Sequence, residues 1–287
     1  MAAGDRETVG EQLRQATATL AAAGVEPARV DAEWLLAGVL EVPRLTLHLA
    51  LDRALPGAAL TRYAEAVRRR ARREPLQHVL GWEGFRGLRF ELSPDVLVPR
   101  PETETLVAWA LELLPPGPCR VLDLGTGSGC VACAIAVERP DARVVATDVS
   151  PAAAALARRN AATLGLDARV RVVVADLLDG LHGAWDMVVA NPPYLPSAML
   201  PSLAPEVARH EPAGAVDGGP DGLAVIRGLV AGAPRALRPG GALVLETAGG
   251  DQAGDVAALM QRAGLGALGV RRDLASVARF VGGRAPA

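Results

Sequence analysis

The residues with the most chemical content stand where an apolar run ends. Trp185-Asp186-Met187-Val188-Val189-Ala190 leads directly into Asn191-Pro192-Pro193-Tyr194. Two adjacent prolines remove two backbone donors and fix the turn. The carbonyls of that turn still accept hydrogen bonds, and the Asn191 side chain supplies one more acceptor oxygen. Tyr194 adds an aromatic face. Such a set suits a planar nitrogen that carries two hydrogens. The lone pair of an amide nitrogen is delocalised into its carbonyl, so it is a poor nucleophile. Asn191 Oδ1 and the Pro192 carbonyl would take its two N–H groups, orient the nitrogen and stabilise positive charge as it develops. Tyr194 would pack against the amide plane. No strong general base is needed before attack, because the proton can leave after transfer. Alone, these four residues would fit a rigid loop equally well; their place at a strand end, downstream of a glycine loop, favours the chemical reading.

That loop is Asp123-Leu124-Gly125-Thr126-Gly127-Ser128-Gly129, between a strand candidate and a helix candidate. Glycines let backbone approach a ligand closely, and a helix N-terminus offers free N–H groups. A dinucleotide fingerprint would need a third glycine at position 130, where Cys130 stands. The observed spacing, with an acidic residue two positions before the first glycine, resembles the first motif of class I S-adenosylmethionine methyltransferases. S-adenosylmethionine has no pyrophosphate; it carries a carboxylate, an ammonium and a sulfonium, and Asp123 would favour the cationic end. Asp148 closes the next strand candidate, about twenty residues on, where a carboxylate can accept both hydroxyls of a ribose. Its competing role is a helix N-cap, which Ser150 before Pro151 suits better. Asp176 follows the third strand and would bind the adenine amino group, with Leu177 packed on the ring.

The elements that must hold these groups are legible as two regions and a connection. Residues 1–74 read as helices, with Leu13, Ala16 and Leu20, then Ala32, Leu35, Leu36, Val39 and Leu40, at helical spacing. A third helix over 58–73 ends in Arg68, Arg69, Arg70, Arg72 and Arg73. This run reads as a solvated face, or more sharply as a docking surface for an acidic protein or RNA. Residues 75–100, with Phe85, Leu88, Phe90 and Leu92 around Gly84 and Gly87, read as a β-hairpin linker. Beyond it, a methyltransferase-type domain is expected over 101–287. Strand candidates at 120–124, 143–147, 169–174, 185–190 and 242–246 alternate with helix candidates at 131–138, 152–164 and 223–237. A further helix opens at 99–104, and a terminal hairpin is expected around 268–270 and 278–281. The alternation argues for an α/β fold, a mostly parallel sheet with helices on both faces.

Composition narrows the classes. The 287 residues carry a formal net charge of −2, and arginine supplies all the basic charge, so no polybasic field points to nucleic acid. No apolar run reaches the roughly 18 residues of a membrane span. The first ten residues, with Asp5, Arg6 and Glu7, do not read as a signal peptide. A soluble, cytoplasmic monomer is the expectation. The odd set of Cys119, Cys130 and Cys133 argues against a disulfide framework and lacks a complete zinc ligand set. His48, His78, His182 and His210 show no paired metal spacing. No metal is expected. Trp34, Trp82, Trp109 and Trp185 read as core or domain-interface residues.

The whole resembles the release factor glutamine methyltransferases, the HemK family. The likeness runs through Glu74-Pro75-Leu76-Gln77-His78-Val79-Leu80-Gly81, Val98-Pro99-Arg100-Pro101-Glu102-Thr103-Glu104, residues 122–129, Asn191-Pro192-Pro193-Tyr194, His210-Glu211-Pro212 and residues 271–283. Asn-Pro-Pro-Tyr alone is shared with DNA adenine methyltransferases; its combination with the other segments is more specific. The resemblance implies a class I S-adenosylmethionine methyltransferase with a Rossmann-like seven-stranded sheet and a small N-terminal helical domain. It implies methylation of N5 of the glutamine in the Gly-Gly-Gln tripeptide of class 1 peptide release factors, and so an effect on translation termination. It assigns cofactor contacts to Gly125, Thr126, Gly127, Ser128, Gly129, Asp148 and Asn191, and the substrate pocket to Asn191, Pro192, Pro193 and Tyr194. Arg100, Glu102 and Thr103 would line the methionine end. The position after Asp176 is often aromatic in relatives; Leu177 leaves only apolar packing there. Three rivals stand beside this reading: a glutamine methyltransferase of a ribosomal protein, an adenine-N6 nucleic-acid methyltransferase, and a binding module on an inactive fold.

Overall fold

A computed structural model of the chain describes residues 7–181 and 183–287. His182 and the first six residues of the stretch read for a leader lie outside them. Along the chain run α1 (Val9–Ala22), α2 (Ala28–Leu40), α3 (Gly57–Ala71), α4 (Leu76–Leu80), β1 (Trp82–Phe85), β2 (Leu88–Glu91) and α5 (Thr103–Leu113). There follow β3 (Cys119–Leu124), α6 (Cys130–Glu138), β4 (Ala142–Asp148), α7 (Pro151–Thr163), β5 (Val170–Val174) and β6 (Trp185–Ala190). The last elements are α8 (Pro205–His210), α9 (Ala224–Ala236), β7 (Leu237–Glu246), α10 (Asp251–Arg262), β8 (Gly266–Arg272) and β9 (Ala278–Arg284). Among the described residues no helix is long and apolar enough to cross a membrane.

These elements form two compact units, and the units are not simple halves of the sequence. The first comprises the described residues through Gly81 together with Ala204–His210. The expected boundary at 74 therefore falls inside it, because α4 packs on α2 and α3 rather than opening the hairpin. Val9, Leu13, Ala16 and Leu20 form one buried stripe of α1, the 3.6-residue period expected of a core-facing helix. The Thr8 side chain caps that helix by accepting the Glu11 N–H. Tyr63 is buried with its hydroxyl donating to the Ala32 carbonyl at 2.9 Å.

Arg69, Arg70 and Arg73 of the arginine run are paired inside this unit, which narrows its reading as a solvated face or docking surface to Arg68 and Arg72. Arg70, 5% exposed, donates to Asp31 at 2.7 Å and to Glu206 of α8 at 2.8 Å. Arg73 grips the same Glu206 with two hydrogen bonds at 2.7 and 2.8 Å. Arg69 pairs with Glu74. Only Arg68 and Arg72 are exposed. Partial burial would raise the Glu206 pKa, but the hydrogen bonds from Arg73 and Arg70 outweigh it and hold the carboxyl at about 2. His210 also belongs here, with Nε2 3.1 Å from the Arg72 carbonyl.

The second unit, Trp82–Leu203 and Glu211–Ala287, holds the sheet. Strand order is β5-β4-β3-β6-β7-β9-β8, with β9 antiparallel to both β7 and β8 and the rest parallel. Apolar residues fill both faces of the central strands, as parallel strands covered on both sides require. Val121, Met187, Val189 and Val244 face a core built with α5, α6 and α7. Leu122, Val188, Leu243 and Leu245 face the core under α9 and α10. The hairpin β1–β2 lays Phe85 and Phe90 edge to face, ring centres 6.4 Å apart, into the first of these cores. Cys119, Cys130 and Cys133 are buried and unpaired. Trp109 and Trp185 are core residues; Trp34 and Trp82 are half-buried under arginine guanidinium groups.

Candidate active site

The chain leaves β3 towards β4 and β5 on one side, then returns to lay β6 on the other side of β3. At such a reversal the connections diverge and leave a crevice beyond the carboxyl ends of the strands. Leu124 and Ala190 are paired in register as the last residues of β3 and β6. The glycine loop and Asn191 therefore start side by side. A cavity of about 310 Å³ opens between them.

The loop is shaped by its glycines and tied down by side chains. Gly125, Gly127 and Gly129 have φ of +69°, +54° and +83°, a region that costs other residues roughly 1–2 kcal/mol. A Cβ at Gly125 or Gly127 would meet no protein atom within 4 Å, so the loop leaves space for a ligand. At Gly129 a Cβ would come within 3.2 Å of Ala157, so close packing of α6 on α7 also demands glycine. The Thr126 hydroxyl donates to Asp123 at 2.6 Å. Buried Asn160 donates to the Ser128 carbonyl at 2.8 Å and exchanges two hydrogen bonds with the Glu91 backbone. Asn160 was not singled out from sequence; a polar residue inside the alanine-rich run of α7 was the available signal.

The acidic residues stand at strand ends around the same cavity. Ser150 caps α7 by accepting the Ala153 N–H, as its place before Pro151 implied. Asp148 is not idle, however: its two oxygens accept the N–H groups of Gly127 and Ser150, each at 2.9 Å. A carboxylate has about four acceptor sites, so both oxygens keep capacity for ligand hydroxyls. Asp123 is 1% exposed, and burial pushes its carboxyl up to about 7 against the Thr126 hydrogen bond, with Asp148 adding to the rise. Asp176 and Leu177 line the cavity, the leucine with φ of +45°. Gly228 of α9 makes room for Leu177: a Cβ there would lie 3.0 Å from Leu177 Cδ1.

Asn191, Pro192 and Pro193 line the cavity together with Gly125, Thr126, Gly127, Ser128, Arg100 and Thr103. Gly129, at the N-cap of α6, and exposed Glu102 are outside the lining. Tyr194 is half-buried beside the cavity, its hydroxyl donating to Glu246 at 3.3 Å and its carbonyl accepting from Gln252 at 2.8 Å. Arg100 pairs with buried Glu211 at 2.5 Å, and Glu211 also accepts the Val98 N–H. Thr103 donates to Glu246 at 2.8 Å and accepts from Asn191 Nδ2 at 3.1 Å. Glu246 and Glu211 were missed as site residues. For Glu246 the signal was present: an acidic residue closes an apolar strand at a sheet end that already carries Asp123 and Asp148.

The donor set fits S-adenosylmethionine. Carboxylates stand ready for hydroxyl and ammonium groups, open glycine backbone offers close approach, and Val149, Leu177 and Leu229 provide apolar walls.

Residues 11–81 match the family model described as the PrmC N-terminal domain, and residues 108–202 match the methyltransferase small domain. The release factor glutamine methyltransferase of Geobacter sulfurreducens is 43% identical over 278 residues, 96% of this chain and 96% of that protein. The one from Mycolicibacterium smegmatis is 46% identical over 270 residues, 94% of this chain and 95% of its own. Among solved structures, a methyltransferase from Pyrococcus furiosus aligns with a TM-score of 0.56 at 20% identity, covering 77% of this chain and 99% of that one. That last likeness concerns the fold.

Proposed function

The chain belongs to the release factor glutamine methyltransferase family, and from that premise we propose how its own residues carry out the reaction. The reaction is methylation of N5 of a release factor glutamine, the one in the Gly-Gly-Gln tripeptide of class 1 factors. S-adenosylmethionine supplies the activated methyl group. Asp148 would accept the ribose hydroxyls and Asp176 the adenine amino group, and Asp123 and Arg100 would hold the charged methionine end. Asn191 Oδ1 and the Pro192 carbonyl accept the two N–H groups of the glutamine amide. They hold the nitrogen in line and stabilise the positive charge that grows on it. Tyr194 and Pro193 flank the amide plane. The proton is lost to water after transfer, so no residue serves as a base beforehand. On this reading the enzyme works as a single copy in the cytoplasm, without a nucleic-acid partner.

The observation that carries the proposal is the pairing of β3 and β6, which sets the Asn-Pro-Pro-Tyr turn beside the glycine loop over one cavity. The test is methyl transfer to purified, unmethylated class 1 release factor, read by tandem mass spectrometry of the Gly-Gly-Gln peptide. A methyl group on that glutamine is expected, with the rate falling about 100-fold or more in Asn191→Ala, the scale for losing a transition-state hydrogen-bond partner. Cofactor binding without a methyl group there would direct the search to ribosomal proteins and nucleic acids.

A further inference from the structure

An asparagine that must act as an acceptor has a problem of orientation. Its amide can turn by half a revolution and present NH₂ where oxygen is needed, at little steric cost. In this site the choice is made behind the asparagine. Glu246 closes β7 and is 1% exposed. Each of its oxygens accepts one hydroxyl: Oε2 from Thr103 at 2.8 Å, Oε1 from Tyr194 at 3.3 Å. An ionised carboxylate can only accept, so the single hydroxyl hydrogen of Thr103 is spent on it. Thr103 Oγ1 can then only accept from its other neighbour, and that neighbour is Asn191 Nδ2 at 3.1 Å. Asn191 Oδ1 is left facing away from Thr103 and accepts no hydrogen bond from the described residues.

We propose that Glu246 is a positioning residue for methyl transfer: through the Thr103 hydroxyl it fixes the Asn191 amide with Oδ1 presented to the substrate nitrogen, and it anchors the Tyr194 ring by its phenol. The inference rests on the function proposed above. It explains why a carboxylate is kept in the core, where burial without hydrogen-bond partners would be costly. Two hydroxyls answer it directly, and among the described residues no arginine forms an ion pair with it.

The polarity of the relay depends on the charge of Glu246. Burial pushes this carboxyl up to about 7, while the hydrogen bonds from Thr103 and Tyr194 and the Arg279 guanidinium on β9 oppose the rise and Glu102 before α5 adds to it. Arg279 is itself paired with Asp273 at 2.9 Å. Protonated Glu246 can donate to Thr103, which then donates to Asn191 and turns its oxygen inwards. NH₂ would then face the N–H groups of the substrate. Ionised Glu246 is the working form, so turnover rises with pH through the neutral range.

The experiment uses the full chain, unmethylated release factor and saturating S-adenosylmethionine. In the wild type, kcat should fall about five-fold or more between about pH 8 and about pH 6, while Glu246→Gln, which has no carboxyl to titrate, stays within about two-fold. Thr103→Val should lower kcat about ten-fold or more with the release factor KM within about three-fold, and Thr103→Ser should restore it. A Thr103→Val enzyme as fast as wild type, or a Glu246→Gln enzyme with the wild-type pH limb, overturns the proposal. In the latter case the limb would belong to Asp123. A readout independent of activity is NMR of the Asn191 Nδ2 protons, assigned with Asn191→Ala. They should exchange slowly in the wild type and Glu246→Gln, and fast in Thr103→Val. Equal exchange in wild type and Thr103→Val overturns the relay even if no methyl transfer occurs, whereas slow exchange with an unmethylated release factor overturns only the functional reading.

Discussion

One carboxylate oxygen of Asp148 accepts the Gly127 N–H across 2.9 Å, joining the end of β4 to the glycine loop that follows β3. The residue that would take the ribose hydroxyls thus also shapes the loop that would receive the rest of the cofactor. Hydrogen bonds to a charged group contribute about 1.5–3 kcal/mol each, so Asp148→Ala should weaken S-adenosylmethionine binding about 10- to 100-fold. Calorimetric titration gives the affinity. An Asp148→Ala protein that binds within two- to three-fold of wild type would remove this residue from the cofactor site.

Asp123 gives a pH signature with a definite sign. Its ordinary pKa is 3.8 and its folded value is about 7. Between those values the folded chain holds a proton that the unfolded chain releases, so stability falls as pH rises through this window. The cofactor-free protein should melt higher at about pH 5.5 than at about pH 8, and Asp123→Asn should reduce the difference. Glu246 and Glu211, whose shifts have the same direction, contribute to the remainder. Cofactor affinity should run the other way, improving with pH as Asp123 ionises opposite a cationic ligand.

The Arg70 cluster makes a prediction for the helical unit. Removing one partner of a buried ion pair leaves the other charge unanswered and costs about 3–5 kcal/mol. Arg70→Ala strands Asp31 and should lower the urea midpoint accordingly. Glu206→Ala should instead act locally: the N–H groups of α8 should lose protection in hydrogen–deuterium exchange before the rest of the unit does. Uniform protection in Glu206→Ala would show that α8 is held by something other than Arg70 and Arg73.

Gly129→Val should be among the most damaging single changes in the loop. It places a β-branched residue at φ of +83° and drives a Cβ to 3.2 Å from Ala157. A fall in the melting temperature together with loss of cofactor binding is expected. Gly117→Ala carries a similar φ, +79°, over open space, and should show only the backbone cost of about 1–2 kcal/mol.

The parts of the fold that declared themselves in sequence are those where local pattern and tertiary environment agree. β3 and β6 are apolar runs because both faces are covered, and the glycine loop and Asn-Pro-Pro-Tyr carry their conformation in their residue types. The order of β8 and β9 was readable as a hairpin for the same reason. Within the arginine run, Arg70 and Arg73 were misread because their meaning is set by Glu206, far along the chain, and no local pattern announces that partner. α8 is too short for periodicity to speak. Glu246 was visible as the end of a strand, yet its use depends on Thr103 and Tyr194 arriving from two other elements.

The excursion of Ala204–His210 into the helical unit has a consequence for how this chain can be taken apart. A fragment ending at Gly81 would present Arg70 and Arg73 without the carboxylate they share, so the first unit is not a cassette that can be cut out or exchanged as one contiguous piece. A chimaera with the helical region of a relative should fold well only if the short segment around Glu206 is transplanted with it. The loop downstream of the Asn-Pro-Pro-Tyr turn and the N-terminal helices are therefore a single unit of inheritance, although more than a hundred residues separate them.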